Sequence, residues 1–361
     1  MSRISQLNLA LSSAGLDALV VTAKSNVRYL TGFTGSNGSV VVTSKATTLV
    51  TDARYEERAI EELAAARGDV GADIEVLIAP GTGRTAIARV LEGAEAVGLE
   101  ADDLAWSAAT SFEELLSATR VRATSGLVEG LRERKSEAEV ALIRRAASIA
   151  DDALGQVIEN GLVGRTEREV QRALDQCAVG LGADGASFDT IVASGPNGAR
   201  PHHEPGDRVL TEGDLLIIDF GAEVGGYRSD MTRSFVLGEP THQQRSMLEA
   251  VKDAQQRGVE AVKPGVLTSE IDAACRNALA EYAMADYFVH GTGHGVGLDI
   301  HEAPSVSSNS TATLAPGHII TVEPGVYIPE VGGVRWEDTV LVTAVGVETL
   351  TRSPKQPFLE D

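Results

Sequence analysis

Cysteine is scarce: the 361 residues hold two, Cys177 and Cys275. Two thiols cannot build a disulfide framework or a thiolate metal site, and their scarcity suits a reducing compartment. Basic residues are also in deficit, 31 Lys and Arg against 52 Asp and Glu, for a formal net charge of −21. A phosphate backbone rewards a basic surface, so no nucleic-acid partner is expected. Docking on anionic membranes is disfavoured for the same reason. Long apolar runs are missing too, since LLII at 215–218 is only a strand's worth. The opening MSRISQLNLALSSAG intersperses polar residues and has no signal-peptide core. The expectation is a soluble cytoplasmic protein with no membrane partner.

What is present is ordinary for a globular chain, 43% hydrophobic and 23% charged residues. The length suggests two domains. Residues 1–126 alternate helix and strand signals. ISQLNLALSSAG reads as an amphipathic helix closed by Gly15, and DALVVTA, GSVVVTS and TTLVTD read as short β-branched strands. RYEERAIEELAAARG and RTAIARVLEG read as helices, EVLIAP and AVGLE as further strands, an alternation that makes an α/β layer domain. Gly126, Gly130 and the charged LRERKSE break the pattern, so a second domain is expected over 127–361. It opens on a helix with Val140, Ile143, Ala147 and Leu154 on one face. GRTEREVQRAL from Gly164 and GVLTSEIDAAC from Gly265 share a glycine, then Glu169 or Glu270, then a β-branched residue. That echo implies a duplicated αβ half with a site between the copies.

GDLLIIDFGAEVGGYRSDMTRSF, residues 213–235, places Asp219 at the end of a buried-looking run. A carboxylate there is costly unless it is paired, hydrogen-bonded or on a metal. Gly225-Gly226 signals a hairpin. A turn centred between Val224 and Gly225 would set Asp219 opposite Asp230, with Cβ atoms roughly 4.5–5.5 Å apart. Two bare carboxylates so placed repel, and a cation between them is the natural remedy, with Thr232 facing the same side. An exposed hairpin with solvated acids is the competing reading, and the apolar run weighs against it. IITVEPGVYIPEVGGVRWEDTVLV repeats the arrangement, with Glu323 and Glu337 on either side of a turn containing Gly332-Gly333.

VHGTGHGVGLDIHEAP carries His290, His294 and His301 among glycines that forbid a stable helix. It is not a phosphate loop, because Val296 stands where GxGxxG needs glycine. Glycines on both sides of His294 would let the backbone crowd a ligand; three loop histidines without a shared role is the alternative. In ASGPNGARPHHEPGD, prolines stiffen the chain around His202 and His203, whose side chains diverge, so at most one faces a site. Four carboxylates with one or two histidines form a hard, oxygen-rich set able to hold two divalent cations. Such a pair can generate hydroxide at neutral pH and clamp an oxyanion.

With these segments assembled, the chain resembles the pita-bread metallopeptidases, in the Xaa-Pro branch that contains prolidase and aminopeptidase P. NVRYLTGFTGSNGSVVVTS with TDARYEERA resembles the first domain of that branch. IIDFGAEVGGYRSDMTRSF, HGTGHGVGLDIHEAP, ITVEPGVYIP and GGVRWEDT match the family's ligand segments in order and spacing. The resemblance implies a creatinase/prolidase-like α/β domain over 1–126 and an α+β pita-bread (creatinase/aminopeptidase-like) catalytic domain over 127–361. It also implies two divalent metal ions, Mn²⁺ or Co²⁺ favoured over Zn²⁺ or Fe²⁺. Asp219 would chelate one, Asp230 and Glu337 would bridge both, and His294 and Glu323 would hold the other. Glu323 would also be the general base. His202 would touch the substrate, His301 would stabilise the tetrahedral intermediate, His290 would line the proline pocket, and Arg335 and Tyr327 would support the site.

The implied reaction is hydrolysis of the bond between an N-terminal residue and a following proline, on a di- or oligopeptide, by a homodimer. Prolidase, which takes dipeptides, ranks ahead of aminopeptidase P because the first domain is short and the likeness is to compact microbial forms. A non-catalytic pita-bread binding module, or a metal-free creatinase-like hydrolase with His202 as base, are the rivals. Methionine aminopeptidase ranks lower, because it would not need such an N-terminal domain. Two positions depart from the common pattern. Trp336 stands where a smaller aliphatic residue is usual, and alternation turns it away from the face of Glu337. His203 follows His202 where the branch varies.

Overall fold

The computed structural model of the chain describes residues 1–70, 73–356 and 358–359. It divides into two compact units, Met1–Arg132 and Glu133–Asp361. The division falls after Arg132, later than the expected 126, because Arg132 itself donates to Asn26 Oδ1 at 2.7 Å and belongs with the first unit.

The first unit is an α/β layer. Its strands are β1 (Ala18–Val21), β2 (Gly38–Thr43), β3 (Thr47–Thr51), β4 (Ile74–Ile78), β5 (Ala96–Glu100) and β6 (Arg120–Thr124), in the sheet order β4-β3-β2-β1-β5-β6. β1 runs antiparallel to β2 and parallel to β5, so one sheet combines a hairpin with helical crossovers. The helices are α1 (Arg3–Ala14), α2 (Lys24–Thr31), α3 (Glu56–Val70), α4 (Arg84–Val90), α5 (Trp106–Leu115) and α6 (Glu129–Arg132). α1 stops at Gly15, which takes φ +65° and donates to the carbonyls of Leu11 and Ser12. Ile87 of α4 and Phe112 of α5 pack on Val20, Val41 and Val97 of the sheet.

The second unit consists of two αβ halves. The first holds α7 (Glu137–Glu159), α8 (Glu167–Gly180), β7 (Gly185–Ala186), β8 (Ile191–Ser194), β9 (Leu215–Phe220), β10 (Ala222–Val224), β11 (Tyr227–Arg228) and β12 (Met231–Leu237). The second holds α9 (His242–Ala261), α10 (Thr268–Glu281), β13 (Gly293–Gly295), β14 (Glu302–Val306), β15 (Ile319–Val322), β16 (Gly325–Ile328), β17 (Gly332–Arg335), β18 (Asp338–Val342) and β19 (Val347–Thr349). The echo is structural. Gly164 and Gly265 take φ +86° and +84°, and their N–H groups donate to Leu210 O and Leu314 O at 2.9 and 2.8 Å. Glu169 completes a capping box with Thr166 at the start of α8. Glu270 Oε1 accepts from Leu267 N–H at 3.4 Å at the start of α10. The shared spacing therefore encodes a left-handed turn followed by a helix cap.

β9 is buried along its whole length. Leu216, Ile218 and Phe220 enter the core shared with α7 and α8, while Leu215 and Ile217 face the other way. The β9–β12 register differs from the expected one. Gly225 and Gly226, at φ +57° and +79°, both occupy the centre of the turn, as a type I′ turn demands. Thr232, not Asp230, therefore stands across from Asp219. The second acid pair is in register. The ladder joins Val322 to Asp338 and resumes at Gly325 with Arg335, leaving Glu323 and Glu337 across from each other. Its turn falls on residues 329–331, and Gly332 and Gly333 lie in β17 instead.

Candidate metal centre

Asp219 lies near the end of β9, Asp230 just before β12, Glu323 just after β15 and Glu337 just before β18. All four line one cavity of about 360 Å³, together with His202, His290, His294, His301 and Arg335. Of the residues expected at the site, only Tyr327 stands back from the lining. Its hydroxyl accepts from Arg335 Nη1 and donates to His290 Nε2, both at 2.8 Å.

Arg335, on β17, organises the floor. Nη2 donates to Asp219 Oδ2 at 2.6 Å, and Nε donates to Thr232 Oγ1 at 3.1 Å. The Thr232 hydroxyl in turn donates to Glu337 Oε2 at 2.6 Å. One guanidinium thus aims two carboxylates from two different halves. His294 Nδ1 donates to Gly295 O at 3.0 Å, which leaves Nε2 turned to Glu323 Oε1 at 3.2 Å and Asp230 Oδ2 at 3.6 Å. A ring nitrogen fixed on a backbone carbonyl is the usual way to present the other nitrogen to a metal. The glycines around His294 are also required by the packing of the sheet, and Gly293 lines the cavity. A Cβ at Gly293 would overlap Thr321 O, and one at Gly295 would overlap Ala303 O.

The acids are in electrostatic conflict. Burial, reinforced by Glu337, Asp219 and Glu323, pushes Asp230 well above the usual carboxylate range. Burial, then Glu323 and Asp219, does the same to Glu337. Burial also raises Asp219 against the pull of Arg335. Glu323 is the exception: burial works to raise it, but the His294 hydrogen bond and charge prevail and hold it at about 2. Burial and the neighbouring His294 push His301 down, its ring edge-on to His294 at 4.3 Å. Burial likewise lowers His290.

This chemistry fits divalent cations. Asp219 Oδ1 is buried without a hydrogen-bond partner. Asp230, His294 and Glu337 offer ligand atoms within 4.8 Å of one another. A positive charge placed among these groups removes both the repulsion and the orphaned oxygen, and oxygen ligands with one imidazole suit first-row divalent metals. Trp336 faces away, buried with Leu215, Met247 and Val340. Sequence reasoning missed Thr321, whose Oγ1 accepts the His294 N–H at 3.1 Å and donates to Glu323 at 3.3 Å. It also missed the apolar wall of Phe188, Ile191 and Ile300. A lone threonine inside IITVE was the available signal for the first; the wall carried none.

Residues 141–344 match the model of metallopeptidase family M24, and residues 3–134 match that of the creatinase/prolidase N-terminal domain. The Xaa-Pro dipeptidase of Pyrococcus furiosus is 35% identical over 98% of this chain and 99% of that protein. Among solved structures, an Xaa-Pro dipeptidase from Bacillus anthracis superposes with a TM-score of 0.93 at 38% identity, covering 99% of this chain and 98% of the other. An X-Pro aminopeptidase from Thermotoga maritima gives 0.87 at 30%, covering 97% and 99%. The two-domain pita-bread architecture and the acid-lined cavity are accounted for together: the chain belongs to metallopeptidase family M24.

Proposed function

We propose that the protein is an Xaa-Pro dipeptidase, hydrolysing the bond between an N-terminal residue and proline. The observation that carries this reading is the convergence of Asp219, Asp230, Glu323 and Glu337 with His294 on one cavity that three further histidines also line. Asp219 would hold one cation, His294 and Glu323 a second, and Asp230 and Glu337 would be shared. Bound divalent ions supply Lewis acidity and a nucleophile at neutral pH. Mn²⁺ or Co²⁺ suits the set best, with Zn²⁺ or Fe²⁺ also compatible.

Glu323 takes the proton of the attacking water on a carboxylate oxygen. His301 stabilises the developing oxyanion, His202 contacts the substrate from its loop, and His290, fixed by Tyr327, lines the proline side. The cavity, about 360 Å³, is near the small end of ligand pockets, which favours dipeptides. Aminopeptidase P activity on longer peptides is the second reading, favoured by the likeness to the Thermotoga maritima structure. The reading includes a cytoplasmic homodimer; sedimentation analysis tests the subunit count. No helix among the described residues is long and apolar enough to cross a membrane, and both cysteines are free.

A panel of Xaa-Pro dipeptides and tripeptides with Mn²⁺ or Co²⁺ separates the two activities. Asp230→Asn should lose both bound metal and rate. Near-normal activity in that variant would overturn the ligand set.

A further inference from the structure

His203 is left over from the catalytic set, yet it is anchored. Its Nε2 donates to Glu167 Oε2 at 2.8 Å, and the two side chains are 9% and 0% exposed. Glu167 opens α8 and does not line the cavity. A buried carboxylate is costly unless donors surround it, and here they come from one segment. Oε1 accepts from Ser194 N–H at 2.8 Å, from the Ser194 hydroxyl at 2.7 Å and from Asn197 Nδ2 at 3.0 Å. Oε2 accepts from His203 and, at 3.1 Å, from Gly206 N–H. The carboxylate therefore grips both ends of residues 194–206, and the middle of that stretch delivers Pro201 and His202 to the cavity. Arg335 Nη1, at 3.5 Å from Pro201 O, ties the same stretch to the guanidinium that holds Asp219. Adjacent side chains point apart, so pinning His203 inward decides that His202 faces the substrate.

We propose that Glu167 and His203 form a clasp that positions His202 and thereby sets peptide affinity without touching the metals. Both are positioning residues. The inference rests on the peptidase reading, and wild-type cleavage of an Xaa-Pro dipeptide tests that reading alone.

The clasp is tested on the full-length, metal-loaded protein with His203→Ala and His203→Gln. His203→Ala should raise KM about tenfold with kcat within about twofold, the signature of lost uniform binding. Metal content by elemental analysis should match wild type. The Gln amide can still donate to Glu167, so His203→Gln should return KM to within about threefold of wild type. The clasp is wrong if wild type is active and His203→Ala keeps its KM, or if Gln rescues no better than Ala. Joint loss of kcat, metal and thermal midpoint in both variants would identify a structural strut and overturn it as well.

Discussion

Replacing Arg335 by methionine should destabilise the metal-free protein far more than the loaded one. Arg335 is 3% exposed and donates to Asp219, Tyr327 and Thr232. Methionine keeps an unbranched stem while removing the charge and every donor. Without metal, Asp219 is then buried and uncompensated, and removing one partner of a buried ion pair costs about 3–5 kcal/mol. With cations on the carboxylates Asp219 keeps a positive neighbour, and the loss falls to the hydrogen bonds with Tyr327 and Thr232, about 1–2 kcal/mol. The difference between the two states, about 1–4 kcal/mol, is the quantity to measure. Urea unfolding reads it through Trp336. The chain has two tryptophans, of which Trp106 is exposed in the first unit and Trp336 is buried in the second. A Trp106→Phe background therefore makes fluorescence report the catalytic unit alone. Equal losses in EDTA and in Mn²⁺ would mean that Arg335 and the cations do not share Asp219, and would refute its place in the ligand set.

Two more expectations follow from the same geometry. Burial and mutual repulsion raise the folded-state pKa values of Asp230 and Glu337; their stabilising contribution is complete below the unfolded carboxylate value, about 4, and is lost as pH rises through the folded values. Urea midpoints of the metal-free protein should therefore fall from about pH 4 upward, Mn²⁺ should cancel the fall, and Glu337→Gln should flatten it; a Glu337→Gln profile as steep as wild type would count against this origin. Trp336→Ala should open a core cavity and cost about 3–5 kcal/mol in both metal states, and calorimetry showing a loss confined to the loaded protein would place Trp336 at the metal face instead.

The chemistry was easier to read than the geometry. Asp219 and Glu323 announced themselves because each ends an apolar run, and burying a carboxylate needs a reason. Glycine misled twice, because the same residue serves two purposes. Gly225-Gly226 takes both central turn positions, so the hairpin slides and Thr232 becomes the cross-strand neighbour of Asp219. Gly332-Gly333, read as a turn, lies in β17, where a Cβ would overlap Gly195 O or Gly198 O. A glutamate at the start of a helix ordinarily reads as a partner for the helix dipole. Nothing local to Glu167 reveals that Ser194, Asn197 and His203 arrive from a distant loop, so its grip on that loop became visible only in three dimensions.

The duplicated halves explain why four acids meet at one point, and also why only one imidazole joins them. In each half an acid sits at one strand's end, Asp219 one residue before the end of β9 and Glu323 one residue after β15, and the antiparallel neighbour begins just after another, Asp230 or Glu337. The two hairpins deliver two acid pairs in different registers: Glu337 stands across from Glu323, whereas Thr232 stands across from Asp219 and Asp230 lies two residues before that threonine. The third strand of each half breaks the likeness. β13 lies against β15 and carries His294 beside Thr321. The corresponding strand β8 lies against β9 and sets Ala193 across from Ile217. Ala193 packs with Ile217 and Tyr327 in a small apolar cluster, so the first copy supports the tyrosine that fixes His290 and Arg335 instead of offering a ligand. The halves are alike in carrying acids at the ends of paired strands, and they differ at one strand position, His294 in the second half and Ala193 in the first.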